Sequence, residues 1–323
     1  MIQFEITPND IIQADNRISN YIVKTPVLYS QNLKKDYDLD VKLKLENQQV
    51  SGSFKPRGSI NKILKTRNSF KDPSYVAPTA GGHGVGLSYA GKVLGVDVEI
   101  HMPKSADKDR IRDIKENGAK LFFHESVEAA SIIAKRKAKK EGKIFVSAYD
   151  DLDMIEGAGT MAFESMDEFS DIDCLVCGVG GGGYISGMAI ILKSINPDLH
   201  IIGVQQNKAA FLKRWYDTQK YPGDYKLDYS IAEGIGGYIE KDCVTWPIVN
   251  SLVDEFISVS ENDIKQTLLW MLDRHKVYTE PSGVVGLTAI MANRHYFKKF
   301  NHIFTVISGQ NMSLDKFKGQ IMN

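Results

Sequence analysis

Apolar and polar positions along this chain follow two periods that take turns. "VKLKLE" at 41–46 alternates strictly and reads as a β-strand. The runs "SYVAPT" at 74–79, "DVEIHMP" at 97–103, "AKLFFH" at 119–124 and "KIFVSAY" at 143–149 read as strands too. So do "CLVCGV" at 174–179, "LHIIGV" at 199–204, "EFISVS" at 255–260 and "HIFTVIS" at 302–308. Between them lie segments with helical spacing. "SVEAASIIAKRKAKKEGK" at 126–143 is one, its lysine run forming a solvated face. "SENDIKQTLLWMLDRH" at 260–275 is another and opens on a Ser-x-x-Asp cap. Strands separated by helices pair in parallel through right-handed crossovers, which predicts an α/β protein. "KYPGDYKLDYS" at 220–230 carries neither period and reads as a surface loop.

At 323 residues the chain exceeds one ordinary domain of about 100–200 residues, and two lobes are expected. Basic and acidic residues number 40 each, so net charge gives no reason to expect a nucleic-acid or membrane partner. The first ten residues are mixed and acidic, unlike a signal peptide, and no apolar run reaches the roughly 20 residues of a membrane span. Three cysteines do not make a disulfide framework; Cys174 and Cys177 lie in an apolar run and read as small buried residues. The seven histidines lack metal-ligand spacing. A cytoplasmic protein is expected.

Three stretches carry candidate chemistry. "SGSFKPRG" at 51–58 sets Lys55 between Phe54 and Pro56 among small residues, an enclosed place for a lysine. "GVGGGGYISG" at 178–187 joins an apolar run to a helical pattern, so its amides can surround a phosphate at a helix N-terminus. Its glycines at 178, 180 and 183 also satisfy G-x-G-x-x-G, which keeps a nicotinamide-binding fold open. "PTAGGHGVGLSYAGKVLG" at 78–95 repeats the strand, glycine turn and helix, suited to a carboxylate; His83 there reads equally well as structural or as part of a site. A phosphate cradle, a carboxylate cradle and an enclosed lysine together fit a pyridoxal phosphate enzyme acting on an amino acid.

The sequence resembles the fold-type II pyridoxal phosphate family, in the branch of threonine and serine dehydratases and serine racemase. The likeness runs from "IVKTPVLYS" at 22–30 to "SGQN" at 308–311. It implies a two-domain fold like that of the tryptophan synthase β-subunit, with parallel-rich twisted sheets flanked by helices. Residues 1–70 and 151–323 would form the large cofactor-binding domain and 71–150 a small mobile one. "SFKPRG" matches the lysine motif, which makes Lys55 the lysine bound to pyridoxal 5'-phosphate as a Schiff base and Phe54 the residue against its ring. "GGGGY" matches the phosphate loop of Gly180, Gly181, Gly182 and Gly183, with Tyr184 beside it. "SGQN" places Ser308 at the pyridine nitrogen, "AEG" at 232–234 places Gly234 on the opposite ring face, and "EPSG" at 280–283 places Glu280 near the cofactor. Ser53, Thr79, Ala80, Gly81, Gly82 and His83 are the expected substrate-binding residues. The resemblance implies a homodimeric lyase that converts L-threonine or L-serine, or a related β-hydroxy amino acid, to a 2-oxo acid and ammonia.

Departures from the family pattern qualify this. Relatives usually have asparagine at the position of Gly82, where it contacts the cofactor's phenolic oxygen; Gly82→Asn is expected to tighten cofactor binding. Ala80 replaces the serine that serves a racemase as its second base. Gln205 stands where the family's cation site has an acidic residue, so no metal is expected. No regulatory domain is expected after residue 323. A β-replacement enzyme, an amino-acid racemase, a catalytically silent cofactor-binding protein and a nicotinamide dehydrogenase are the alternatives.

Overall fold

The computed structural model describes residues 4–168, 171–223 and 225–322. Ten strands form among them: β1 (Val27–Tyr29), β2 (Val41–Lys44), β3 (Ser74–Pro78), β4 (Asp97–Pro103), β5 (Lys120–His124), β6 (Ile144–Phe145), β7 (Cys174–Gly178), β8 (His200–Gln206), β9 (Glu255–Val259) and β10 (Ile303–Val306). They make two sheets, a six-stranded one ordered β1-β2-β10-β7-β8-β9 and a four-stranded one ordered β5-β4-β3-β6. Every pairing is parallel except β1 with β2, where Val27 faces Lys44.

The nine runs read from their periodicity each hold one of these strands. The tenth, β1, is a three-residue strand that lies outside those runs. In β7 the alternation has a visible consequence: Leu175 and Cys177 join the core on one side of the large sheet, Cys174 and Val176 the core on the other. That double burial is what a central parallel strand requires. All three cysteines are free and buried, and burial pushes the thiols of Cys174 and Cys177 well above the usual range.

Helix ends follow local chemistry. Ser126 accepts a hydrogen bond from Ala129 N at the start of Val127–Glu141, and Gly142 closes it in the left-handed conformation, φ 66°. Ser260 and Asp263 form a reciprocal capping box at Glu261–Trp270. That helix does not stay α-helical to 275 as its pattern predicts. Residues Met271–His275 widen into a π-turn, where Asn32 Nδ2 donates to Arg274 O and Ser30 meets the His275 ring. Among the described residues between Thr218 and Thr245, only a 3-10 turn, Glu233–Ile235, interrupts the irregular path, and the expected 220–230 loop lies there. No described helix is long and apolar enough to cross a membrane.

Three helices meet backbone to backbone beside the sheets. A Cβ on Gly157, in helix Leu152–Phe163, would lie 2.4 Å from Arg57 O in helix Lys55–Thr66. A Cβ on Gly187, in helix Gly183–Ile195, would lie 2.3 Å from Ile155 O. Helix Leu152–Phe163 therefore sits wedged between the lysine motif and the helix of the glycine loop, with no side chain as spacer.

Candidate active site

Lys55 is the first residue of its helix, and Pro56 follows in the first turn, where a missing N–H leaves no hydrogen bond unmade. The residues before it are pinned to the "SGQN" stretch. Ser53 bridges to Gly309, Phe54 N donates to Ser308 O at 3.3 Å, and Gln310 N donates to Gly52 O at 2.8 Å. The Lys55 ammonium sits 4.5 Å from the Phe54 ring centroid, and that ring lies 5.0 Å from Tyr184. Three separate motifs thus converge on one half-buried amine. Burial pushes Lys55 down to about 8, although the Glu280 carboxylate favours its charge. Glu280 is held in turn by Gly309 O, which accepts from its amide at 3.0 Å.

Two residues further on, Arg57 has another task. It is wholly buried and all five guanidinium hydrogens have acceptors. Nε and Nη2 reach Glu46 at 2.8 Å each, Nη1 and Nη2 reach Glu164 at 3.0 and 2.6 Å, and Nη1 also reaches Thr160 Oγ1 at 3.0 Å. Lys44 adds a second cation on Glu164, so two cations face two carboxylates. Burial opposes charge on Arg57, but Glu46 and Glu164 outweigh it and raise the group above its ordinary range. This cluster anchors the start of the lysine helix.

The glycine loop opens helix Gly183–Ile195, 13 residues long. Gly182 has φ +89°, which favours glycine. The amides of residues 180–184 find no acceptor among the described residues, as expected of a loop that meets a phosphate. Glycine at 181 has a packing requirement of its own. A Cβ there would lie 2.2 Å from Cγ of Tyr149, so the Tyr149 ring by itself requires glycine at this position. Tyr149 is itself tied to Glu240 through its hydroxyl. Tyr184 offers the loop its amide, while its side chain turns to Phe54 and Cys177. Gly234 abuts the loop, its carbonyl 3.5 Å from the Cβ position of Gly180, and its amide donates to Ser282 Oγ at 2.8 Å.

The second glycine turn is shaped by Thr79, whose Oγ1 accepts from Gly81 N at 2.9 Å. Gly82 lies against the lysine motif: its Cβ position is 3.6 Å from Ser53 Oγ and 4.0 Å from Lys55 Cγ. His83 does not cap the helix with its side chain. It is buried, Nε2 donates to Val146 O at 3.2 Å, and Nδ1 has no partner among the described residues. Burial, with the Lys55 charge nearby, pushes it down to about 4, so the ring is neutral at physiological pH.

Arg110 joins these parts and the motifs give no hint of it. It is buried and donates to Asn311 O at 2.8 Å, to Ala80 O at 3.2 Å and to Glu280 at 3.0 Å. The one available signal is helical phase: Arg110 shares a buried face with Ile114, whereas Arg112 points outward to Asp109 and Asp113. Arg110, Gly52, Gln310 and Asn311 line a cleft of about 500 Å³ beside Lys55's motif.

Gln205 lies within β8, which runs on to Gln206, rather than after the strand as expected. Its Nε2 donates to Val179 O at 2.9 Å and its Oε1 accepts from Lys213 N at 2.8 Å, so both ends of the amide serve as a strut. No group of three or more His, Cys, Asp or Glu side chains gathers among the described residues to hold a metal.

Comparison with known proteins extends this geometry. The chain is 32% identical to the catabolic L-threonine dehydratase of Staphylococcus aureus over 321 residues, 98% of this chain and 92% of that protein. The structure of maize serine racemase superimposes with a TM-score of 0.90 at 25% identity, covering 99% of this chain and 98% of that one. A pyridoxal 5'-phosphate-dependent aspartate racemase gives 0.92 at 28% identity, over 98% and 99%. The unpaired amides of residues 180–184 and the amine of Lys55 suit a phosphate and an aldehyde on one small molecule. The pyridoxal-phosphate dependent enzyme family profile matches residues 18–309, and the chain belongs to that family, with pyridoxal 5'-phosphate as its cofactor.

Proposed function

We propose that the protein is an ammonia-lyase that dehydrates L-threonine or L-serine to a 2-oxo acid and ammonia. One observation carries this reading: around these two turns Lys55 is much the strongest base among the described residues. The Lys55 amine is lowered to about 8, whereas Ala80, Gly81 and Gly82 on the neighbouring turn have no ionisable side chain. His83, next in line, donates Nε2–H to Val146 O, and its free Nδ1 is a weak base because burial and the Lys55 charge hold the ring down to about 4. A lone base suits removal of the Cα proton and loss of the β-hydroxyl, but not return of a proton to the opposite face. The similarity to a threonine dehydratase supports the same choice.

Pyridoxal phosphate, when bound, supplies the conjugated system that takes up the electron pair left at Cα. Lys55 would hold its aldehyde carbon in the resting enzyme and be free to take the Cα proton once substrate has replaced it. The amides of Gly180, Gly181, Gly182, Gly183 and Tyr184 would hold the phosphate, with Phe54 and Gly234 flanking the ring and Glu280 beside Lys55. Ser308 would face the ring nitrogen; a neutral hydroxyl leaves that nitrogen largely unprotonated, which favours prompt departure of a β-substituent. Ser53 and the turn from Thr79 to His83 would orient the substrate carboxylate. We assign cofactor binding to 1–70 and 151–323 and closure over the substrate to 71–150, in a cytoplasmic homodimer. The four-stranded sheet, whose strands all lie between Ser74 and Phe145, supports that division.

Assay of 2-oxo acid release and D-serine formation from a panel of amino acids tests the reading. Release from L-threonine or L-serine far above D-serine formation is expected. Equal lyase and racemase rates would refute the one-base argument. A product that needs an added nucleophile would indicate β-replacement, and cofactor binding without turnover a silent binding protein.

A further inference from the structure

Gly82 occupies the place where the family has asparagine, and the space around it is furnished. A Cβ on Gly82 would lie 3.3 Å from Asn311 Nδ2, the nearest heavy atom outside its chain neighbours and its own helix backbone. An asparagine's own amide nitrogen lies about 2.4 Å from its Cβ. Asn311, arriving from the far end of the chain, therefore brings an amide nitrogen close to the shell that a residue-82 amide would occupy. It is held there deliberately. Nδ2 donates to Ser53 Oγ at 3.4 Å, the only acceptor it has among the described residues, which leaves its second hydrogen uncommitted. The Asn311 backbone oxygen accepts from Arg110 Nε, and Arg110 Nη1 donates to Ala80 O. One guanidinium thus fixes the 80–82 turn and residue 311 relative to each other.

We propose that Asn311 provides from the opposite side the hydrogen bond that Gly82 cannot: its carboxamide donates to the phenolic oxygen of pyridoxal phosphate, and Arg110 is the positioning residue that holds it there. This rests on Lys55 and residues 180–184 forming the cofactor site. It also revises the expectation for Gly82→Asn. In the wild-type background the new side chain meets Asn311 at 3.3 Å and competes with it instead of filling a gap.

The test is titration of cofactor-free protein with pyridoxal phosphate, read by dissociation constant and by the near-visible absorbance of the bound cofactor against pH. Asn311→Ala should weaken binding by about three- to tenfold, the range of one neutral hydrogen bond. Its absorbance midpoint should rise, because the phenolate loses a donor. Gly82→Asn alone should change affinity less than about twofold, and Gly82→Asn with Asn311→Ala should recover most of the loss, which a merely structural role for Asn311 would not allow. Arg110→Met should move the midpoint in the same direction as Asn311→Ala. An Asn311→Ala variant with wild-type affinity and spectrum overturns the proposal, and so does a loss that Gly82→Asn leaves unrepaired. A wild-type protein that gives no borohydride-reduced adduct on Lys55 refutes the cofactor-site assignment itself. A normal Lys55 adduct with an unaffected Asn311→Ala refutes only the role of Asn311.

Discussion

Lys55 and Arg57 lie two residues apart in one helical turn, yet their surroundings treat positive charge in opposite ways. Arg57 is the more deeply buried, but it meets two carboxylates and a hydroxyl with every hydrogen placed. Lys55 is half-buried, has an aromatic ring at 4.5 Å and feels only the Glu280 carboxylate, and its charge is disfavoured. Depth does not decide the state of an ionisable group; the partners at that depth do. The motif therefore carries one cation for fixing the helix and one amine kept close to neutrality for chemistry.

The sharpest way to break this division is to remove each member. Lys55→Ala should abolish turnover and the covalent cofactor mass in borohydride-reduced protein, while the unfolding midpoint in urea stays close to wild type. A large loss of stability would mean that Lys55 is structural as well. Arg57→Met leaves Glu46 and Glu164 buried without their main partner and should cost about 3–5 kcal/mol of stability in urea unfolding. Arg57→Lys should recover only part, since an ammonium cannot make two forked pairs. A variant within 1 kcal/mol of wild type would remove the anchoring role.

pH separates the two residues as well. In the cofactor-free protein Lys55 titrates near 8, and in the unfolded chain near 10.5. Between those values the unfolded state binds more protons, so this group makes the folded protein more stable as pH rises through that window. Capture of pyridoxal phosphate by the neutral amine should accelerate with a midpoint near pH 8 in stopped-flow absorbance. Glu280→Gln removes the carboxylate that favours the ammonium and should lower that midpoint; a rise would contradict the electrostatic reading. The smallest effect belongs to Thr160→Val, which takes one acceptor from Arg57 Nη1 while Glu164 retains the other. A loss of about 0.5–1.5 kcal/mol is expected, with catalytic parameters unchanged.

What could be read in advance tracks how local each signal is. Nine strands announce themselves because six- or seven-residue runs, apolar or alternating, are enough, and Lys55 and the glycine turns stand out because their chemistry is written in adjacent letters. β1 lies outside the nine runs, and the helix after Ser260 widens over Met271–His275, where Asn32, 242 residues away in sequence, donates to Arg274 O. Arg57 with Glu164 spans 107 residues and Arg110 with Asn311 spans 201. No pattern along the chain encodes such pairs; the fold creates them. Gly181 is intermediate. Its identity was legible, but the Tyr149 ring that requires it was not.

Contact between Gly157 and Arg57 O, and between Gly187 and Ile155 O, has a bearing on how this protein can change over time. The separation between the lysine motif and the glycine loop is measured out in peptide backbone, which every sequence shares. Apolar residues elsewhere in the interior can then be exchanged for others of similar volume without altering that separation. Freedom to diverge in the interior and fidelity at the site are compatible because a few glycines decouple them. A single Gly157→Ala or Gly187→Ala exchange would couple them again.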